Sequence, residues 1–74
     1  MKQVRTKEIQ IVVNGQVRQV PEGQTLDQLL VWLAVDPERV AVELNRSIVR
    51  RELWSQTPIT HGAALEIVQF VGGG

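Results

Sequence analysis

The most unusual residues of this sequence are its last three, Gly72, Gly73 and Gly74. They follow an apolar run that ends at Val71 and form an arm without side chains, whose extended reach is on the order of 10 Å. Because glycine has no Cβ, such an arm can enter a narrow channel and adopt backbone angles closed to other residues. We therefore expect residues 72–74 to be a flexible tail, with any chemistry on the carboxylate of Gly74.

A terminal carboxyl group has a reference pKa of about 3.5, so it is ionised at neutral pH and is a poor electrophile. A partner enzyme would have to convert it to a mixed anhydride with a nucleotide phosphate. A sulfur nucleophile could then displace the phosphate and leave a thiocarboxylate. The alternative is an inert terminus, frayed or left by cloning, and the tail alone does not decide between the two.

The rest of the chain lacks the usual sets of catalytic or metal-binding residues. His61 stands beside Gly62 in a turn signal, with no second metal ligand at a suitable spacing, and we interpret it as a turn residue. Ser47 and Ser55 have no activating base nearby in sequence. The glycine run is followed by no Lys-Ser or Lys-Thr and no helix, so it is not a phosphate loop. We predict no catalytic residue and no metal site, hence not an enzyme.

Composition limits the chain to one small domain of ordinary globular character, with 74 residues, 43% hydrophobic and 22% charged. Eight basic and eight acidic residues balance, so nothing favours a nucleic acid or an anionic membrane as partner. There is no cysteine, which fits a reducing compartment. We expect a cytoplasmic protein that is monomeric when free. A mild basic cluster is formed by Arg46, Arg50 and Arg51, and we interpret it as a solvated rim and not as an anion site.

Alternating residues predict a hairpin near the start. Ile9, Ile11 and Val13 recur at period two, and Asn14-Gly15 favours a type I′ turn before a returning strand at 16–20. Residues 1–7 carry no motif, and we expect a flexible lead.

A helix is predicted next. Thr25 and Gln28 have the spacing of a capping box, and one stripe carries Leu26, Leu29, Leu30 and Leu33. Asp36-Pro37 is expected to end this long helix.

Three further segments complete the pattern. They are a strand through Val40, Val42 and Leu44, a short edge segment at Ile48-Val49 and a closing strand over 65–71. A helical turn at 51–55 would present Leu53 and Trp54, and we assign Trp54 to the core; Trp32 is expected to be half exposed.

The order of these elements predicts an α+β domain over residues 8–71, in which one helix crosses a mixed sheet of about five strands. Connection rules favour pairing of the first strand with the last. This arrangement is the β-grasp, or ubiquitin-like, fold.

The closing strand is apolar on both faces, since Leu65 and Ile67 alternate with Val68 and Phe70. A sheet covered by one helix should have a polar outer face. We predict that Val68 and Phe70, or whichever pair of alternating residues faces away from the helix, form a partner-binding patch beside the arm together with Val71. The alternative is a loop that folds over them.

Taken together, the segments resemble the ThiS family of sulfur carriers from Ile9 to Gly74. The resemblance is carried by Val13-Asn14-Gly15, Gly23-Gln24-Thr25-Leu26, Leu29-Leu30, Val40-Ala41-Val42, Leu44-Asn45, Ile48-Val49, Arg51 to Trp54, Ile67-Val68 and Phe70 to Gly74. Each segment is weak alone, but their order and spacing are specific. The sequence departs from the family at His61-Gly62-Ala63, where relatives often have an Asp after the glycine.

The resemblance implies that a ThiF-like adenylyltransferase uses ATP and magnesium to adenylylate Gly74. Sulfur from a cysteine persulfide, supplied by a donor such as a cysteine desulfurase, would give the thiocarboxylate. Thiazole synthase would then use that sulfur to build the thiazole ring of thiamin. The chain would be a substrate of these enzymes and would hold no cofactor.

Three other functions stay open at this point. The small subunit of molybdopterin synthase uses a similar arm for a different acceptor. A protein modifier would end in an isopeptide bond from Gly74 to a lysine. A plain interaction module would carry an inert tail.

Overall fold

The computed structural model describes residues 7–71, so the predictions made for residues 1–6 and for Gly72, Gly73 and Gly74 lie outside it. The elements are β1 (Glu8–Val13), β2 (Gln16–Pro21), α1 (Leu26–Trp32), β3 (Val40–Leu44), β4 (Ser47–Ile48) and β5 (Ala64–Gln69). Two short 3₁₀ helices, Pro37–Arg39 and Arg51–Gln56, flank β3 and β4.

The strands form one five-stranded sheet in the order β2-β1-β5-β3-β4. β1 and β5 are parallel, and the other neighbouring pairs are antiparallel. The predicted pairing of the first strand with the last is therefore confirmed, and the fold is the β-grasp.

The first hairpin is the predicted one. Asn14 and Gly15 have φ values of 50° and 81°, as a type I′ turn requires. β2 extends to Pro21, one residue further than predicted, where it lies opposite Glu8. Proline is tolerated there because β2 is an edge strand.

The helix begins as predicted but is shorter than expected. The side-chain Oε1 of Gln28 accepts a hydrogen bond from the backbone N–H of Thr25 at 2.9 Å. The helix has only seven residues and ends at Trp32, not at Asp36-Pro37. The backbone N–H of Val35 reaches back to the carbonyl of Leu30, which closes the helix before the proline. Asp36 instead caps the following 3₁₀ helix, accepting from the N–H of Glu38.

One core lies between α1 and the sheet. Its buried residues are Ile9, Ile11, Val20, Leu26, Leu29, Leu30, Val40, Val42, Trp54, Ile59, Ala63 and Leu65. Trp54 lies in it as predicted, and its indole N–H donates to the carbonyl of Val49 at 2.9 Å. Trp32 is 46% exposed, which agrees with the prediction.

Candidate functional site

The strand that leads to the C-terminus, β5, lies in the middle of the sheet between β1 and β3. Leu65, on its helix-facing side, is 1% exposed, and Ile67 packs against the core. A central strand has neighbours on both edges and is among the last parts of a sheet to open. Leu65, which pairs with both β1 and β3, therefore belongs to the stable centre of the sheet.

The chain reaches the surface as soon as β5 ends. The predicted strand over 65–71 is shifted, since β5 begins at Ala64 and ends at Gln69, which lies opposite the first residue of β3, Val40. Beyond it, the N–H of Phe70 still donates to the carbonyl of Arg39 at 2.8 Å. Val71, the last described residue, is 92% exposed.

The outer patch, by which we mean Val68, Phe70 and Val71, is exposed to solvent. Val68 is 57% exposed and Phe70 is 55% exposed. Side chains alternate along a strand, so Val68 points to the sheet face opposite to that of Leu65 and the helix. Within residues 7–71 no loop folds over these side chains. A partner-binding role for the outer patch stays a prediction.

Two carboxylates lie directly opposite each other on the same outer face. Glu66 of β5 pairs in register with Glu43 of β3, and both are exposed. Neither takes part in the ion pairs found within residues 7–71, which join Arg39 to Asp36 and Arg51 to Glu38. Like charges opposite each other across a sheet are destabilising. The sequence alone did not reveal this pair, since register depends on which strands are neighbours.

His61 contacts the backbone of β1. It is exposed, and its Nδ1 accepts a hydrogen bond from the backbone N–H of Gln10 at 3.1 Å. Gly62 follows with a φ of 86°, so the predicted turn is confirmed. In the described part of the chain, no three His, Cys, Asp or Glu side chains gather in a way that could hold a metal ion.

The basic residues of the middle segment are partly engaged in surface contacts. Arg51 lies 3.4 Å from a carboxylate oxygen of Glu38, and its guanidinium carbon is 5.3 Å from the ring centroid of Trp54. Arg46 and Arg50 are exposed. This arrangement agrees with the interpretation as a solvated rim.

A pocket of about 280 Å³ lies at the end of the sheet where β1 begins. Ile9, Gln24, Pro58 and Ile59 are among the residues that line it. Because β5 runs parallel to β1, it ends at the opposite end of the sheet, where the chain reaches Val71. The pocket is therefore not part of the site around the arm.

Among residues 7–71, no helix has the length and hydrophobicity needed to cross a bilayer.

The sequence model of the ThiS family matches residues 7–74 of this chain. The sulfur carrier protein ThiS of Escherichia coli is 35% identical over 66 residues, which are 89% of this chain and 100% of that protein. A thiazole synthase of Paramagnetospirillum magneticum is 41% identical over 66 residues. This chain covers only 20% of that synthase, and the same share of a second one from Magnetococcus marinus.

The crystal structure of the thiamine biosynthesis protein ThiS from Geobacter metallireducens has a similar fold. It superposes with a TM-score of 0.79 at 36% sequence identity, and the match covers 89% of this chain and 100% of that one. A solution structure of a thiamine biosynthesis protein from the same organism gives a TM-score of 0.73.

Proposed function

Because the chain belongs to the ThiS family, we propose that it carries sulfur, as a thiocarboxylate on Gly74, for synthesis of the thiazole ring of thiamin. One observation carries this proposal. The family match runs through the glycine tail to Gly74 itself, so it includes the group that would react.

The proposed chemistry has three steps, all catalysed by partner proteins. The carboxylate of Gly74 attacks the α-phosphate of ATP, held with magnesium by a ThiF-like adenylyltransferase, and pyrophosphate leaves. The terminal sulfur of a cysteine persulfide, formed by a donor such as a cysteine desulfurase, attacks the acyl carbon and displaces AMP. Two thiols of a reductant then reduce the resulting acyl disulfide and are themselves oxidised to a disulfide, which leaves the thiocarboxylate and a cysteine thiol.

The part played by this chain is to present its terminus. The three glycines have no side chains to obstruct a narrow active site, and they extend from Val71, which is already at the surface. In this proposal the chain is a substrate that is used and regenerated, and it is not a catalyst. It acts in the cytoplasm, where ATP and reduced thiols are available.

The outer patch is the proposed docking surface for these partners. It is apolar and exposed, and it lies at the end of the strand from which the arm extends. Contact there would hold the arm near the partner's active site, so that the reaction of Gly74 becomes effectively intramolecular.

Thiazole synthase is the proposed acceptor of the sulfur. The two relatives named thiazole synthase each contain a segment similar to this chain within a much longer polypeptide. A carrier segment and its acceptor enzyme on one polypeptide would raise the effective concentration of each for the other. This supports the same partnership for the present chain.

Transfer of labelled sulfur tests the proposed acceptor. The chain is loaded with isotope-labelled sulfur by the adenylyltransferase, ATP, magnesium and a desulfurase, and is then mixed with thiazole synthase and its small-molecule substrates. The label is expected in the thiazole product, and a chain that lacks Gly74 should transfer none. If the label is transferred to the large subunit of molybdopterin synthase and not to the thiazole product, that subunit is the acceptor. Conjugates of the chain with lysine side chains would identify it as a protein modifier.

A further inference from the structure

The edge of β5 that faces β1 is held at its far end by a side chain rather than by a strand. The parallel pairing of β1 with β5 covers Val12 with Ala64 and Val13 with Leu65. The backbone N–H of Asn14 then donates to the carbonyl of Leu65 at 2.9 Å, and the chain turns away into the hairpin.

The side chain of Asn14 extends the hydrogen-bond ladder between β1 and β5 beyond the last strand pair. Its Oδ1 accepts from the backbone N–H of Ile67 at 2.7 Å, and its Nδ2 donates to the carbonyl of Ile67 at 3.2 Å. A carboxamide has the same donor and acceptor as a peptide group, so these two bonds replace those of a neighbouring strand. The φ of 50° at Asn14 turns the backbone out of the sheet while the side chain stays in it.

Both edges therefore hold the end of β5, the β3 edge through a ladder that continues to Gln69 and the β1 edge through the side chain of Asn14. On the β3 edge, the N–H of Phe70 donates to the carbonyl of Arg39. On the β1 edge, Asn14 holds Ile67, and no described residue beyond it pairs with β5 on that side. Without the carboxamide, the segment from Ile67 to Val71 would be held along one edge only.

We propose that Asn14 is a positioning residue for the reaction of Gly74. Through Ile67 it fixes the direction in which the chain leaves the sheet, and so restricts the volume that the terminal carboxylate samples when the domain docks. Restricting that volume lowers the entropy cost of placing the carboxylate in the active site of an activating enzyme. This inference rests on the proposed carrier function and adds to it a residue that positions the arm.

Asn45 provides a matched control, because it contacts the same strand, β5, from the turn between β3 and β4. It also has a left-handed backbone, with a φ of 52°, and it also occupies a hairpin corner. Its Oδ1 accepts from the N–H of Ala64 at 3.0 Å, and its own N–H donates to the carbonyl of Ala64 at 2.7 Å. It holds the start of β5, whereas Asn14 holds the end.

The experiment compares Asn14→Gly with Asn45→Gly, because glycine accepts both backbone conformations and removes only the side chain. Four quantities are measured for each variant: stability in denaturant, amide hydrogen exchange by NMR, and the kcat and KM for adenylylation with the full chain as substrate. A third variant, Asn14→Asp, retains the acceptor for the N–H of Ile67 but loses the donor.

We expect Asn14→Gly to speed exchange at Ile67 and to raise KM on the order of fivefold, the equivalent of about one hydrogen bond, with little change in kcat. Asn45→Gly should speed exchange at Ala64 and leave KM unchanged. Asn14→Asp should give an intermediate KM, which a general loss of stability would not explain.

Equal KM values for the two glycine variants would overturn the positioning role, and so would an unchanged KM for Asn14→Gly with faster exchange at Ile67. If Asn14→Gly fails to fold, a KM of Asn14→Asp equal to that of the wild-type chain would also overturn the positioning role. Failure of the carrier function itself gives a different result, since the wild-type chain would then show no adenylylation at all.

Discussion

Ala34 has a backbone φ of 63°, a left-handed conformation that costs an ordinary L-residue about 1–2 kcal/mol. It follows the last residues of α1, and the hydrogen bond from Val35 N–H to the carbonyl of Leu30 passes over it. Glycine is the usual residue at this position of a helix end. Because alanine gives no such signal, the sequence indicated the start of the helix at Thr25 but not its end.

Ala34→Gly is therefore expected to raise the free energy of unfolding by about 1 kcal/mol, through relief of the strained backbone. Denaturant unfolding followed by tryptophan fluorescence measures it. Ala64→Gly is the control, since Ala64 is exposed within β5 and the same change should there lower stability. A decrease for Ala34→Gly as large as that of the control would contradict the interpretation of Ala34 as strained.

Asn14, which also has a positive φ, makes contacts that the sequence could not reveal. Asn14-Gly15 was enough to predict the first turn. The hydrogen bonds from Asn14 to Ile67 could not be predicted, because they join residues 53 positions apart. They depend on the parallel pairing of β1 with β5.

At the scale of elements, strand β5 carries both the core and the exposed face next to the arm. The sequence left open which of its two alternating pairs faces away from the helix, and in the structure Leu65 is buried whereas Val68 is exposed. Its end was predicted at Val71 but lies at Gln69, since β3 begins at Val40 and offers no further strand residue for pairing. The length of a strand depends on its neighbours as well as on its own composition.

A charge placed in the outer patch should interfere with docking but not with folding. Phe70→Asp is expected to lower kcat/KM for adenylylation on the order of tenfold, because a carboxylate resists transfer into an apolar interface. Adenylylation kinetics and the circular dichroism spectrum are measured together. Val17→Asp is the control, since Val17 is 60% exposed on the edge strand β2, which β1 separates from β5. Unchanged kinetics in a folded Phe70→Asp chain would contradict docking at the outer patch.

The opposed carboxylates on the same face lead to a prediction about stability. Glu43→Gln should raise the free energy of unfolding by a few tenths of a kcal/mol, since it removes repulsion from Glu66. The gain should diminish as salt is added, because salt screens exposed charges. Thermal unfolding at low and high ionic strength measures both effects. A loss of stability at low salt would show that the two carboxylates do not repel each other appreciably.

For the whole domain, the class of fold and the order of the strands and the helix could be predicted from the sequence. Periodicity located the buried residues of β1, α1 and β3, including Ile11, Leu29 and Val42. The pairing of β1 with β5 followed from connection rules. The pocket beside Gln24 had no signal in the sequence, since it forms between segments that are far apart along the chain.

The same topology accounts for the separation of folding from the proposed function. The core lies on the helix side of the sheet, and Val68 of the outer patch points to the opposite side. The central strand joins the two, and the glycine tail continues from it. Changes in the patch and the tail are therefore expected to affect reactions with partners more than stability.

In the proposed function, the carboxylate of Gly74 is the group that accepts sulfur. Intact-mass spectrometry with fragmentation of the C-terminal peptide tests it most directly, after incubation with a ThiF-like adenylyltransferase, ATP, magnesium, a desulfurase and cysteine. E. coli ThiS serves as the positive control for an active enzyme mixture. We expect exchange of one oxygen for sulfur at Gly74, and no exchange in a chain that lacks this residue. An unchanged mass beside a converted control, or sulfur found at any other residue, would contradict it.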